Sequence, residues 1–171
     1  MVTEIIGNME TTAVVSEEHI GNIPNLHVAD YQAKLVYEAE EQCGFWNDLT
    51  ILSLAEVQDL VKRISIWAGA FVPIIVTEGH TELTIAYATS TSIILPFPFS
   101  KSLPYICHEM AHVINYQSVI YADHHGKNFA SVYLQIVREF ASPRNYLELK
   151  RAFNKMGVQY FLKESDDLHN S

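Results

Sequence analysis

The sequence predicts an α+β domain in which a small antiparallel or mixed sheet packs on helices, and three observations predict it. Apolar residues recur at helical spacing both before residue 70 and after residue 100. Between those blocks, Val72 to Thr77 and Leu83 to Leu95 are rich in Val, Ile, Thr and Tyr, the residues that suit a pleated surface. Composition supplies the third: 49% of the 171 residues are apolar and 18% charged, too apolar for a disordered chain. Cys43 and Cys107 are too few for a disulfide-stapled module, so a hydrophobic core must hold the domain together.

Residues 1–27 have no regular period, contain Gly7, Gly21 and Pro24, and read as a loosely ordered leader with a short β-like run at Ala13 to Val15. A single domain is expected over 28–162. Tyr31, Leu35, Val36 and Ala39 predict a first helix over about 31–43, capped by Asp30 and closed by Gly44. Ser53-Leu54-Ala55-Glu56 is a capping box, and Val57, Leu60, Val61 and Ile64 carry a second helix to about residue 67. The β-rich stretch breaks at a turn, Glu78-Gly79-His80-Thr81. Pro96 and Pro98 lack amide donors, so the strand ending Ile93-Ile94-Leu95 is expected at a sheet edge. Ser102 caps a third helix over about 103–117 with Pro104 in its first turn. A fourth helix spans about 126–141, and Ser142-Pro143 opens a fifth that ends near Met156-Gly157. Residues 163–171 are polar and read as a flexible tail.

Charge and hydropathy narrow the function classes. The longest apolar run, Ile64 to Val76, is interrupted by Gly69 and Pro73 and falls short of the roughly 20 residues a bilayer span needs. Met1 to Glu10 carry no Lys or Arg and no sustained apolar stretch, so no secretory signal is legible and a cytoplasmic protein is expected. A net charge of −9 repels a phosphate backbone and gives no strong signal for nucleic acid or membrane. Arg138, Arg144, Lys150, Arg151, Lys155 and Lys163 gather towards the C-terminus, where they read as solvated helix faces.

The chemistry lies in the third helix, which reads Cys107-His108-Glu109-Met110-Ala111-His112, the H-E-x-x-H pattern. Four residues advance a helix by about 6 Å and return to nearly the same face, so two imidazoles can meet on one ion. Glu109 then sits one step round, where a carboxylate reaches a water beside the metal without ligating it, the position of a general base. A catalytic zinc usually takes three protein ligands. Downstream stands Asp123-His124-His125-Gly126-Lys127-Asn128-Phe129. Neighbouring residues point about 100° apart on a helix, so one of His124 and His125 faces the metal, and Gly126 favours His125. Asn115 and Ser118 replace the Gly and His of the longer metzincin pattern.

Other residues have two readings each. Glu139 is either a glutamate ligand or an exposed helical carboxylate, and Asp123 either orients a ligand imidazole or belongs to a loop. Tyr116 and Tyr121 either pack or donate to an oxyanion. Cys107 reads as a small buried hydrophobe and Phe129 as packing beneath the metal helix.

H-E-x-A-H followed by H-G-x-x-F resembles the SprT-like zinc metallopeptidases. Further, Asp30-Tyr31-Gln32, Val36-Tyr37-Glu38-Ala39-Glu40, Ile94-Leu95-Pro96, Leu103-Pro104 and His125-Gly126-Lys127-Asn128-Phe129 are similar to a family of small metallohydrolases of actinobacteria and their phages. The likeness covers about residues 29–141. It implies a zincin-like fold, one Zn2+ held by His108, His112 and His125, Glu109 as the catalytic residue, and a protein or peptide substrate paired along the edge strand near Ser92 to Leu95. Many SprT-like proteins add a Cys-rich zinc ribbon that engages DNA, which two isolated cysteines cannot build. Amide hydrolysis by a zinc-dependent peptidase is therefore the expectation. A noncatalytic binding protein with a structural metal site, or a metal-dependent hydrolase of a non-protein amide, are its competitors.

Overall fold

A computed structural model describes residues 30–77, 86–118 and 124–161. The leader over 1–27, the turn at 78–81, Tyr121, Asp123 and the tail over 163–171 lie outside the described residues. Among those described, the order is α1 (Ala33–Glu41), a 3-10 turn (Gly44–Asn47), α2 (Leu54–Ala68), β1 (Ile74–Val76), β2 (Tyr87–Ala88) and β3 (Ser92–Ile94). A second 3-10 turn (Pro98–Lys101) then leads into α3 (Leu103–Ser118), α4 (Lys127–Phe140) and α5 (Pro143–Met156). The class is α+β, and no described helix is long and apolar enough to cross a membrane.

Where a helix end carries its own signal, the expected boundary holds. Ser53 Oγ accepts from the Glu56 amide at 3.3 Å while the Ser53 amide donates to Glu56 Oε2 at 2.7 Å, and Gly69 at φ +65° ends α2. Ser142 Oγ likewise accepts from the Asn145 amide at 3.0 Å, and Gly157 at φ +77° ends α5. The start of α1 differs from expectation. Gln32 is the cap position and no side chain caps the helix, because the Asp30 carboxylate is engaged elsewhere. Gly44 opens the 3-10 turn instead of closing α1. Ser102 does not cap α3 with its side chain: its hydroxyl is buried without a hydrogen-bond partner, and its carbonyl accepts the Ile106 amide.

The sheet is mixed, with order β1-β3-β2. β1 runs parallel to β3, pairing Ile75 with Ile93, and β2 runs antiparallel to it, pairing Tyr87 with Ile94. The strand ending Ile93-Ile94-Leu95 is thus central, which corrects the edge placement. Both prolines fall beyond its last ladder bond, the Leu95 amide to the Val76 carbonyl at 2.8 Å, so their missing donors cost the sheet nothing. Burial of Ile93, Ile94 and Leu95 in succession is what a strand covered on both faces requires. The described edge strands are β1 and β2.

Packing centres on α3, which lies against α4, α2 and the sheet, while α5 joins α1 and α4. Every residue of α3 from Ile106 to Asn115 is buried. A helix enclosed all round brings its polar residues inside as well, so His108, Glu109 and His112 enter the core together with Met110, Ala111 and Val113.

Candidate metal centre

His108 and His112 stand one turn apart on α3, with their Nε2 atoms 3.2 Å from each other. His125 arrives from the segment just before α4, whose cap position is Gly126. Its ring centroid lies 5.5 Å from that of His108 and 4.6 Å from that of His112. One ligand atom from each of these buried residues falls within 4.8 Å of the others, so the three can hold a metal ion. Phe129, fully buried on the first turns of α4, forms the floor, its ring centroid 4.4 Å from that of His112 and 4.9 Å from that of His125.

Two carboxylates fix how the rings face. His108 Nδ1–H donates to Glu40 Oε1 at 2.6 Å, and His125 Nδ1–H donates to Asp30 Oδ1 at 2.9 Å. With each Nδ1 proton engaged, both residues turn Nε2 towards the shared point. His125 Nε2 is buried and has no hydrogen-bond partner. An orphaned buried acceptor costs roughly 1–3 kcal/mol, and here it faces two further ring nitrogens that cannot all donate. A cation among the three Nε2 atoms satisfies them together, so the residues fit a metal, while His112 Nδ1 is buried without a hydrogen-bond partner on the other side of its ring.

Gln32 holds the approach of the third ligand. Its side-chain amide donates to the His125 carbonyl at 3.1 Å and to the Gln159 carbonyl at 3.2 Å, while its Oε1 accepts from the Gln159 amide. One fully buried side chain thereby ties the start of α1 and the segment after α5 to the His125 backbone.

Electrostatics divide the site. Burial pushes the Glu109 carboxyl up to about 7, with His108 pulling it down and Glu40 adding to the rise. Glu109 Oε2 is buried and unpartnered, a base placed near neutral pH with a free oxygen. Burial opposes protonation of His108, but the Glu40 carboxylate, bonded to it, and the nearby Glu109 outweigh burial and raise its pKa. Burial and the neighbouring imidazoles of His108, His125 and His124 lower the pKa of His112 and keep it neutral, the form a metal ligand needs.

Of the other sequence candidates, His124 is exposed and lines the cavity beside the cluster without joining it, with Nδ1 at 2.7 Å from the Tyr116 hydroxyl. Glu139 lies well along α4 as a half-exposed carboxylate 3.9 Å from Arg138, not at the centre. Cys107 is fully buried, and burial pushes its thiol well up, so it packs as a small hydrophobe. The orienting carboxylates, Glu40 and Asp30, are the residues the motif reading missed. Glu40 shares the buried face of α1 with Val36 and Ala39, and a carboxylate at a core-facing helical position was the signal for it.

The cluster opens into a cavity of about 740 Å³. Its walls include Tyr37, Trp46, Tyr87, Phe99, Tyr105 and Tyr116, and Glu109 faces it beside the histidines. β2 contributes Tyr87 and Ala88, so the edge strand at the cavity is β2 rather than the Ser92 to Leu95 stretch. A scan against protein-family models and searches of curated proteins and of solved structures find no match to the chain.

Proposed function

We propose that this chain is a zinc-dependent peptidase related to the SprT-like metallopeptidases, with His108, His112 and His125 as ligands and Glu109 as general base. The observation that carries the reading is the paired anchoring of two imidazoles by the buried Glu40 and the exposed Asp30, so that ring nitrogens of His108, His112 and His125, that of His125 without a partner, gather beside a carboxyl raised to about 7. When bound, zinc supplies a Lewis acid that polarises a carbonyl and acidifies water. Glu40 and Asp30 hold His108 and His125 in the required tautomer. Glu109 takes a proton from water as the water oxygen attacks the amide carbon. The same carboxyl then hands a proton to the departing nitrogen as the C–N bond breaks. An extended peptide laid along β2 would pair with the outer edge of Tyr87–Ala88, which no other described strand occupies.

The test combines metal analysis with hydrolysis of a quenched-fluorescence peptide library. Wild type should carry about one zinc per chain, His125→Ala should lose it to mild chelation, and His124→Ala should retain it. Glu109→Gln should keep zinc while library hydrolysis falls at least about a thousandfold. Zinc-loaded wild type that cleaves no peptide but cleaves other amides would move the reading to a non-protein substrate. Zinc retention with no hydrolysis of any amide would leave a structural metal site.

A further inference from the structure

Along the cavity side of α3, Tyr105, His108 with Glu109, His112 and Tyr116 succeed one another at helical spacing and all line the cavity. Tyr105 and Tyr116 therefore bracket the metal-ligating pair from opposite ends of a stripe about 16 Å long. The two ends are built differently. At the Tyr105 end the ring packs edge-on to Trp46, with centroids 4.6 Å apart, and lies 5.7 Å from Phe99, an apolar wall. At the Tyr116 end the ring lies parallel to His112, 16° between planes and 5.6 Å between centroids, and its hydroxyl meets His124 Nδ1 at 2.7 Å. His124 is the histidine left over by the metal cluster, and Tyr116 is only half-buried at the cavity rim.

We infer that Tyr116 is a catalytic hydrogen-bond donor to the oxyanion formed during amide hydrolysis, and that His124 is its positioning residue; the inference rests on the peptidase reading above. A phenol offers one hydrogen. If the His124 Nδ1–H donates to the Tyr116 oxygen, that hydrogen is released from protein partners and is free to point along the stripe at substrate. The His112 ring fixes the tilt of the phenol and His124 fixes its rotation, so the donor is set before substrate arrives, the condition under which such a donor is most effective. Glu109 and Tyr116 are spaced about two turns apart on the same helix, so one acts on the attacking water while the other acts on the carbonyl oxygen. No proton leaves the phenol: it only donates a hydrogen bond while the carbonyl carbon becomes tetrahedral.

The experiment compares two zinc-binding dipeptide probes with identical side chains. One is a phosphinic isostere, whose tetrahedral phosphorus carries oxygens where the oxyanion forms. The other is a mercaptoacyl compound, which has none there. Binding is measured by calorimetry on zinc-loaded wild type, Tyr116→Phe and His124→Ala, with zinc content determined for each. Tyr116→Phe keeps the ring against His112, so the site should retain its zinc and its thiol affinity. Phosphinate affinity should fall about a hundredfold in Tyr116→Phe and about tenfold in His124→Ala. Nitrogen NMR of the zinc-loaded chain should find His124 protonated at Nδ1. Unchanged phosphinate affinity in Tyr116→Phe, a bare Nδ1 on His124, or a wild type that binds the thiol but not the phosphinate would each overturn the inference while leaving the metal centre standing. A wild type that takes up no zinc would overturn the peptidase reading itself, and this one with it.

Discussion

His108 and His125 offer the same nitrogen to the same point, yet the protein holds them by different means. His108 belongs to a helix buried without a break from Ile106 to Asn115, and its carboxylate partner Glu40 is 4% exposed. Behind Glu40 lies fully buried Tyr133, whose hydroxyl accepts the Trp46 indole N–H at 2.7 Å. His125 sits on the segment entering α4, and the side chain of its partner Asp30 is 46% exposed. One side of the site is fixed by the core. The other is assembled from distant chain segments, with Gln32 as their tie. Anchors in low dielectric are costly to lose because water cannot replace them, whereas a half-exposed carboxylate can be replaced by solvent.

The largest effect expected from this contrast concerns the buried side. In the metal-free chain Glu109 has a carboxyl raised from 4.5 to about 7, chiefly by burial. Below pH 4.5 it is protonated in both folded and unfolded states and imposes no penalty. Between pH 4.5 and about 7 the unfolded chain is ionised while the folded carboxyl still holds its proton, so stability falls by about 3 kcal/mol over that window and no further above it. Glu109→Gln cannot ionise. Chemical denaturation at pH 4 and pH 8 should therefore find the variant close to wild type at the lower pH and more stable by up to that amount at the higher one. Equal pH dependence in the two proteins would mean that water reaches Glu109.

Next in size is the response of zinc affinity to the anchors. Glu40→Leu leaves a buried N–H on His108 without a partner and should weaken zinc binding about a hundredfold, whereas Asp30→Ala should cost no more than about tenfold. Chelator competition measures both. The reverse order would place the rigid side of the site at His125. Glu40→Gln, which keeps an acceptor oxygen, should fall between wild type and Glu40→Leu.

A smaller effect should appear as heat. The raised pKa of His108 means that the metal-free chain holds a proton there at mildly acidic pH, and zinc must displace it. Titration in buffers of different ionisation enthalpy should report proton release near pH 6, to which both His108 and Glu109 contribute, fading as pH climbs beyond the range in which they hold their protons. Glu40→Leu removes the carboxylate that raises the pKa and should lower the release at that pH. Uptake of zinc with no proton released would contradict the Glu40–His108 pairing.

What could be read from sequence followed the range of the interactions. Helices α2 and α5 are bounded by local chemistry, a capping box and a Ser-Pro start, with a glycine closing each, so their limits were legible. The spacing of His108 and His112 is likewise a property of one helical turn. His125 could be preferred over His124 only through its neighbour Gly126, and the structure brings His125 to the cluster. The anchors were another matter: Glu40 and His108 are 68 residues apart, Asp30 and His125 are 95 apart, and no periodicity spans such distances. By sequence Asp30 reads as a helix cap, because that is the role its local context offers. Sheet order failed for a related reason. Proline reports only on the hydrogen bond at its own position, and Pro96 and Pro98 stand past the end of β3, where the ladder asks nothing of them.

The direct measurement of the central claim is an X-ray absorption spectrum at the zinc edge of the loaded chain. It should fit three imidazole nitrogens at about 2.0–2.1 Å with one further light donor, and His125→Ala should reduce the imidazole count by one. A sulfur shell, or a spectrum of two imidazoles unchanged by His125→Ala, would contradict it.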